Sequence, residues 1–258
     1  MGRYTSRTGA AVRDPKFRER YDELEARMRS LARSDGDIYL PNVAPMGPVN
    51  FVFLCMEPSL GRWASSAEEA ERKIASGFRN FLDSPDDMVL HYAIREYLCR
   101  GDLTYHITDI SKGAMLVEKA RGDRQARYAR WHKLLEREIA LVARQDARFF
   151  AVGKEVGRHL ELHRFLHRYD VILHYSSLAA KARNDGIRGH EQEFESFRAT
   201  LHHEDFVRTA TLVLRESALP SEMQDAILQR IKKAGLSASR VKLLFNYKAA
   251  FCNANAAE

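Results

Sequence analysis

The feature that most constrains the fold is the stretch 49–61, which reads VNFVFLCMEPSLG. Six apolar residues (51–56) follow one another without a charge and precede Glu57 and Pro58. A short apolar run rich in Val and Phe, bounded by Pro and Gly, predicts a strand buried on both faces. Pro58 disfavours helical backbone at Glu57 and ends the strand there. Glu57 is therefore expected at the carboxyl end of a central strand, where open α/β sheets build their sites, although it could also merely cap the next helix.

The chain on either side of this strand alternates between helical and strand patterns. Residues 14–32 carry apolar side chains at spacings of three and four, which predicts an amphipathic helix that covers the sheet. Three more strands are predicted at 105–110, 147–153 and 169–174, with helical patterns before or between them. The alternation favours an α/β fold with three layers, α/β/α, around a mostly parallel, four-stranded sheet.

After the last predicted strand, the pattern is helical to the end of the chain. Helices are predicted from about 190 to 215, from 221 to 234 and from 237 to about 251, with Pro220 and Gly235 as breaks. We therefore expect residues 1–215 to form the α/β domain, with its N-terminal covering helix. Residues 216–258 are expected to form a helical appendage packed on that domain.

The overall charge indicates the kind of partner. The net charge is +6 and the pI about 9.2, which favours an anionic partner, nucleic acid first. A basic run with Lys119, Arg121, Arg124 and Arg127 follows Gly113. It is either a solvated loop or an insertion that contacts phosphates.

Other classes of protein are disfavoured by composition. No apolar run approaches the roughly 20 residues that span a bilayer, and the N-terminus lacks the apolar segment of a secretory signal. Cys55, Cys99 and Cys252 provide neither a disulfide framework nor four ligands for an iron–sulfur cluster. We expect a cytoplasmic monomer without metal, cofactor or membrane partner.

Polar groups follow three of the predicted strands: Glu57, Asp109 and His174. Because the carboxyl ends of parallel strands share one edge of a sheet, these side chains should face a common cleft. A carboxylate can orient water and stabilise an oxocarbenium-like sugar, while an imidazole stabilises a departing base anion. This combination suits hydrolysis of an N-glycosidic bond.

The order of these motifs resembles that of the uracil-DNA glycosylase superfamily. Residues 55–59 read CMEPS, where the family has a strand ending in Gly-x-Asp/Asn-Pro or Gly-Glu-Ala-Pro-Gly. Residues 108–112 read TDISK, where it has Thr-Asn and a loop with Lys. A helix and a strand closing on Gly match 134–153, and 174–178 read HYSSL against His-Pro-Ser-x-Leu. The resemblance extends over about 47–200.

The resemblance implies a role for each matched position. Glu57 falls on the water-activating residue and His174 on the leaving-group histidine. Phe78 is the expected ring that stacks on a flipped base, with Phe81 next. The full base-binding set is then Asp109, Phe78, Ser59 and Met56, and the set that binds DNA phosphates is Ser176, Ser177, Lys112, Arg121 and Arg124.

Two departures from the family pattern indicate the substrate. The family reads uracil with an Asn amide where this chain has Asp109. An ionised carboxylate only accepts hydrogen bonds, so it suits the N4 amino group of cytosine and opposes O4 of uracil. The unpaired contact with uracil would cost about 1–3 kcal/mol. Ser59 stands where some uracil-specific members have a tyrosine that excludes a C5 methyl group.

Together these departures predict a glycosylase for a C5-modified cytosine, hydroxymethylated or glucosylated, in double-stranded phage DNA. Such an enzyme would be monofunctional and leave an abasic site as anti-phage defence, a role known in this superfamily. One alternative is a repair glycosylase for uracil or another deaminated base. Two others are a non-catalytic nucleic-acid-binding module and an unrelated flavodoxin-like protein.

Overall fold

A central parallel sheet organises the chain. The structure is a computed structural model that describes residues 14–61, 63–99, 102–115, 124–176, 179–217 and 219–256. Its strands are β1 (Ile38–Tyr39), β2 (Val49–Cys55), β3 (Tyr105–Asp109), β4 (Gly113–Ala114), β5 (Ala143–Val152) and β6 (Tyr169–Ile172). Its helices are α1 (Pro15–Ser34), α2 (Ala67–Ala75), α3 (Pro85–Ala93), α4 (Arg124–Val142), α5 (Lys154–Leu162), α6 (Ala180–Asp185), α7 (Glu191–Ala199), α8 (His203–Glu216), α9 (Ser221–Ala234) and α10 (Ala238–Ala256).

The main sheet has the strand order β3-β2-β5-β6, and every pairing in it is parallel. Helices cover both of its faces, so the predicted α/β fold with three layers around four parallel strands is confirmed. A second pairing, of β1 with β4, is antiparallel and only two residues long. The sequence did not predict it, because two residues carry no periodicity.

The boundaries of β5 differ from the prediction for a physical reason. The strand begins at Ala143, four residues earlier than expected, and its first half is polar and largely exposed. Only its last four residues, Phe149–Val152, are buried. Sequence patterns detect the buried half of such a strand because the exposed half has no apolar run.

The two faces of β2 enter different hydrophobic clusters. Phe51 and Phe53 pack with α3 and the C-terminal helices, whereas Val52 and Leu54 pack with α1, α4 and α5. Val52, Phe53 and Leu54 are all 0% exposed. Side chains on both faces of such a strand lie in the core, so apolar residues are favoured at every position. This explains the unbroken apolar run.

Capping residues determine where helices α1 and α3 begin. Asp14 accepts a hydrogen bond from the Lys16 backbone N–H at the start of α1 (3.0 Å). Ser84 and Asp87 form a reciprocal capping box at the start of α3, with Pro85 at its first position. Beyond α3, residues Ile94–Leu98 continue as a π-helix. No helix in the described ranges is both long and apolar enough to cross a membrane.

The C-terminal helices belong to the main core. Tyr247 and Phe251 of α10 are 0% exposed, and the Phe251 ring lies 5.9 Å from Phe53 and 5.3 Å from Phe150 of the sheet. Ile227 and Ile231 of α9 join the same cluster. The helices expected as an appendage from residue 216 onward therefore supply part of the layer that covers one face of the sheet.

This packing predicts that Phe251→Ala destabilises the whole fold. Deleting a buried ring that packs against two strands should lower the free energy of unfolding by about 3–5 kcal/mol, since the transfer and cavity costs add. Urea denaturation measures the change. Leu166→Ala is the control because Leu166 is 90% exposed. Equal small losses in both variants would contradict a shared core.

Candidate active site

Strand pairing brings two predicted site residues to one edge of the sheet. Asp109 lies beside Cys55 in the β2–β3 register, and the Ile110 N–H donates to the Cys55 carbonyl at 2.9 Å. The Ser111 N–H then donates to Met56 O at 3.3 Å, so the two chains stay together beyond the strands. Glu57 and Asp109 consequently emerge at the same edge.

His174 lies at this edge as well, two residues beyond the end of β6. The order β2-β5-β6 places it two strands away from Glu57. With about 4.8 Å between neighbouring strands, the two chain positions are about 10 Å apart across the sheet. That separation leaves room for a sugar and a base between a carboxylate and an imidazole.

The Glu57 carboxylate is held from helix α4. Arg124 donates to Oε1 through Nε (3.0 Å) and Nη2 (2.8 Å), and the Tyr128 hydroxyl donates to Oε2. Arg124 and Tyr128 are four residues apart, so they share one face of the helix. Burial and the nearby carboxylate raise the pKa of Tyr128, so its hydroxyl stays protonated and remains a donor.

Counting donors from the described residues alone, this arrangement leaves Glu57 one free acceptor position. An ionised carboxylate offers about four lone-pair sites, and three donors already occupy the two oxygens. The guanidinium of Arg124 forms an ion pair with this carboxylate, and only 6% of the Glu57 side chain is exposed. The carboxylate is thus fixed in orientation and able to accept one further hydrogen bond, such as one from a water.

Asp109 is buried, and within the described residues it has a single side-chain donor. It is 2% exposed, and Asn80 Nδ2 donates to its Oδ2 at 2.8 Å. Burial raises the pKa of the Asp109 carboxyl to about 7, although Lys112 and the Asn80 hydrogen bond both lower it. Near neutral pH, Asp109 is therefore divided between a carboxylate, which only accepts, and a carboxylic acid, which also donates.

His174 is held as a neutral imidazole of defined tautomer. The Ser176 backbone N–H donates to His174 Nδ1 at 2.9 Å, so the ring proton resides on Nε2. Burial, and then the nearby Arg183, lower the pKa of His174 to about 4. Gly153 has φ +102°, which strains any other residue, and a Cβ there would lie a tight 3.2 Å from His174 Cβ.

Lys112 does not occupy the position expected of a phosphate-binding residue. It is 1% exposed, donates to Thr108 Oγ1 at 2.7 Å and forms an ion pair with Glu138. Thr108 and His106 also hydrogen-bond to Glu138, on the face of the sheet that meets α4. Burial alone would raise the pKa of Glu138, but Lys112 and His106 outweigh it and lower it to about 2. The prediction that Lys112 contacts DNA phosphate does not fit this buried pair.

Arg124 also has a different partner from the one expected. It was predicted to bind phosphate, yet it pairs with Glu57 and is only partly exposed. Ser176 uses its backbone N–H for His174 and its carbonyl for Arg183. The phosphate contacts predicted for Arg121 and Ser177, and the basic residue Lys119, lie outside the described residues.

The expected base-stacking ring lies in a buried stack. Phe78 is 5% exposed, and its ring stacks on Trp63 with centroids 4.6 Å apart. Phe81 is equally buried and has φ +64°. Stacking of either ring on a base stays a prediction.

The two remaining base-binding candidates lie along the segment after β2. Ser59 is exposed, and its carbonyl accepts from Trp63 Nε1 at 2.7 Å. Met56 is partly buried against the cluster formed with α1 and α4. Ser59 is therefore the more accessible of the two to a base substituent.

Sequence patterns missed the residues that support the site. Asn80, Tyr128 and Arg183 each contact a predicted site residue or its loop. The only signal for Tyr128 was its spacing of four from Arg124, which becomes visible once both residues are known to lie on helix α4. Asn80 and Arg183 act through tertiary contacts that no local pattern encodes.

Comparison with known proteins adds no assignment: no protein-family model, curated protein or solved structure matches the chain. Membership of the uracil-DNA glycosylase superfamily therefore stays a prediction from the four sequence motifs.

The buried pair predicts the effect of removing Lys112. Lys112→Met should lower the free energy of unfolding by about 3–5 kcal/mol, because the Glu138 charge is left without its cation. The double variant Lys112→Met/Glu138→Leu should regain most of that loss. Denaturant unfolding of the two single variants, the double variant and the wild type measures the coupling. Undiminished stability in Lys112→Met, with loss of DNA affinity alone, would instead support a phosphate contact.

Proposed function

We propose that the protein is a monofunctional DNA glycosylase that hydrolyses the N-glycosidic bond of a flipped, C5-modified cytosine. The observation that supports this most is the shared strand edge, which carries an oriented Glu57 carboxylate and a neutral His174 imidazole. The net charge of +6 suits a DNA partner. The motif resemblance described above points to the same reaction.

Each group has a chemical role in the proposed reaction. The bond between C1′ and the base nitrogen breaks, and its electron pair leaves with the base as an anion. The Nε2–H of His174 donates to that anion, because the other ring nitrogen accepts from Ser176. Glu57 accepts a hydrogen bond from water, whose oxygen attacks C1′, and its charge stabilises the developing oxocarbenium ion. The proton that the attacking water loses passes through Glu57 and solvent to the base anion, so the products are the neutral free base and an abasic site.

Asp109 is the proposed reader of the base edge. In its ionised form it accepts the N4 amino protons of cytosine. Asn80 occupies Oδ2, which leaves Oδ1 for the base. The exposed Ser59 offers little bulk against a C5 substituent such as a hydroxymethyl or glucosyl group. Activity on such bases would fit defence against phages with modified DNA.

The raised pKa of Asp109 gives the alternative substrate specific support. A protonated Asp109 could donate to O4 of uracil, so repair of uracil or another deaminated base remains the second candidate function. The two candidates require opposite protonation states of one carboxyl. They can therefore be separated by pH as well as by substrate.

The decisive experiment offers the protein four matched duplexes, which carry uracil, cytosine, hydroxymethylcytosine or glucosylated hydroxymethylcytosine at one position. Abasic sites are revealed by strand cleavage after heat or alkali. We expect cleavage of a modified-cytosine duplex and none of plain cytosine. Release of uracil alone would support the repair function, and intact duplexes throughout would refute a glycosylase.

Glu57→Gln should lower the single-turnover excision rate by about 10²–10⁴-fold, the contribution typical of such groups, because the amide lacks the charge that stabilises the sugar. Thermal unfolding checks that the fold persists. Glu71→Gln serves as the control because Glu71 is exposed on α2. A wild-type rate in Glu57→Gln would remove this carboxylate from the mechanism.

The ionisation of Asp109 should make base preference depend on pH. As pH rises through about 7, the carboxylate form grows, so the rate ratio of modified cytosine to uracil should rise. The expected change is roughly ten- to hundredfold, since one base-edge contact is worth about 1–3 kcal/mol. Single-turnover rates on both duplexes between pH 5.5 and 8.5, about 1.5 units on either side of this pKa, measure it.

Two variants and one control variant sharpen this measurement. Asp109→Asn should favour uracil and abolish the pH dependence of the ratio, whereas Asp170→Asn, on an exposed part of β6, should leave both unchanged. Asn80→Leu removes a donor that lowers the Asp109 pKa, so the inflection should move to higher pH. A pH-independent ratio in the wild type would show that Asp109 does not read the base.

A further inference from the structure

One buried arginine hydrogen-bonds to the backbone of the loop that carries His174. Arg183, on helix α6, is 4% exposed, and its Nη2 donates to the carbonyls of Tyr175 (3.2 Å) and Ser176. Its Nη1 donates to Ser239 Oγ at 2.5 Å, at the start of α10. A single guanidinium thus joins the segment after β6 to the C-terminal helix.

Helix α10 holds the same region at a second point. The Tyr247 hydroxyl donates to the carbonyl of Leu173 at 2.8 Å, one residue before His174. Asn246 Nδ2 donates to the carbonyl of Arg183 itself at 3.2 Å. Helices α6 and α10 approach so closely there that a Cβ on Gly186 would lie 2.0 Å from Asn246 Oδ1.

These contacts bear directly on the imidazole. The carbonyls that Arg183 holds belong to the two residues after His174, and the N–H of the second, Ser176, donates to His174 Nδ1. Fixing the backbone of Ser176 therefore fixes the tautomer and the direction of Nε2–H. The positive charge of Arg183 also opposes protonation of the ring, and with burial it lowers the pKa of His174.

We infer that Arg183 is a positioning residue for His174, and that helix α10, through Ser239 and Tyr247, is part of the device that aims the imidazole at the leaving base. This role deepens the proposed function and depends on it for its catalytic meaning. The structural part, control of the His174 tautomer, can be tested without any substrate.

The first test is spectroscopic. In protein labelled with ¹⁵N at histidine, the ring signals of His174 are assigned by their absence from His174→Gln. The wild type should show a single Nε2-protonated tautomer. Arg183→Ala should show averaged signals from both tautomers, because the Ser176 N–H is no longer held in place.

The matched control is Arg188→Ala. Arg188 lies five residues further on, its side chain is 78% exposed, and it pairs only with Asp185 within the structure described. Its removal takes away the same charge without touching the loop, so the His174 signals should match those of the wild type. An unchanged tautomer in Arg183→Ala would overturn the inference.

The second test measures single-turnover excision and DNA affinity on the duplex that the wild type cleaves. Arg183→Ala should lose about 10²-fold in rate, the penalty expected when a catalytic group is displaced by about 1 Å. Its Kd for DNA should change much less than the rate, because the buried guanidinium itself contacts no phosphate. Arg183→Lys, which keeps a charge and one donor, should recover part of the rate. A fall in affinity with an unchanged rate would contradict positioning.

Two milder variants test the same inference in case Arg183→Ala fails to fold. Ser239→Ala and Tyr247→Phe each delete one hydroxyl and keep the core packed, and both should shift the His174 tautomer in the same direction as Arg183→Ala. Wild-type signals in both variants would overturn the role of α10. If the wild type cleaves no duplex, the proposed function fails, but the tautomer measurement still decides whether Arg183 positions His174.

Discussion

Burial of the β2 strand on both faces is the constraint on which the rest of the structure depends. Val52, Phe53 and Leu54 are fully enclosed, and this requires a complete helical layer on each side of the sheet. Helices α1, α4 and α5 supply one layer. The other needs α3 together with helices from the last third of the chain, so the C-terminal helices are required for a closed core rather than added to it.

The same constraint determines how charged groups are accommodated at the sheet. A buried charge is tolerated only with a partner, and each partner here comes from a helix or loop that the core packing brings close. Glu138 of α4 meets Lys112 and His106, Glu57 meets Arg124, and Asp109 meets Asn80. In the first set, Lys112 and His106 satisfy the Glu138 carboxylate inside the core. The other two leave acceptor capacity at the strand edge, which is where chemistry is possible.

The sequence predicted those parts of the fold and site that local patterns encode. The four strands of the main sheet and the ends that carry Glu57, Asp109 and His174 followed from apolar runs and proline or glycine breaks. The exposed half of β5 and the two-residue pairing of β1 with β4 lacked such a pattern. Lys112 was misassigned because a lysine near a strand end looks exposed until Glu138, 26 residues away, is known to face it. The links from Arg183 to α10 span 56 residues or more and depend wholly on tertiary packing.

Asp109 shows how stability and recognition can oppose each other at one group. Its folded pKa of about 7 lies above the ordinary 3.8, so its contribution to stability is complete below about pH 4 and is lost as pH rises through about 7. Above that pH the free protein holds a carboxylate that burial disfavours and that has one side-chain donor, Asn80, in the part of the chain that the structure describes. A cytosine amino group would supply the missing donor, so binding would relieve a cost that folding imposed. A uracil offers O4, which only accepts hydrogen bonds, so it would relieve this cost only if Asp109 took up a proton again. On the proposed function, the strain that burial places on Asp109 is therefore itself a source of selectivity, and it acts most strongly where the carboxylate is ionised.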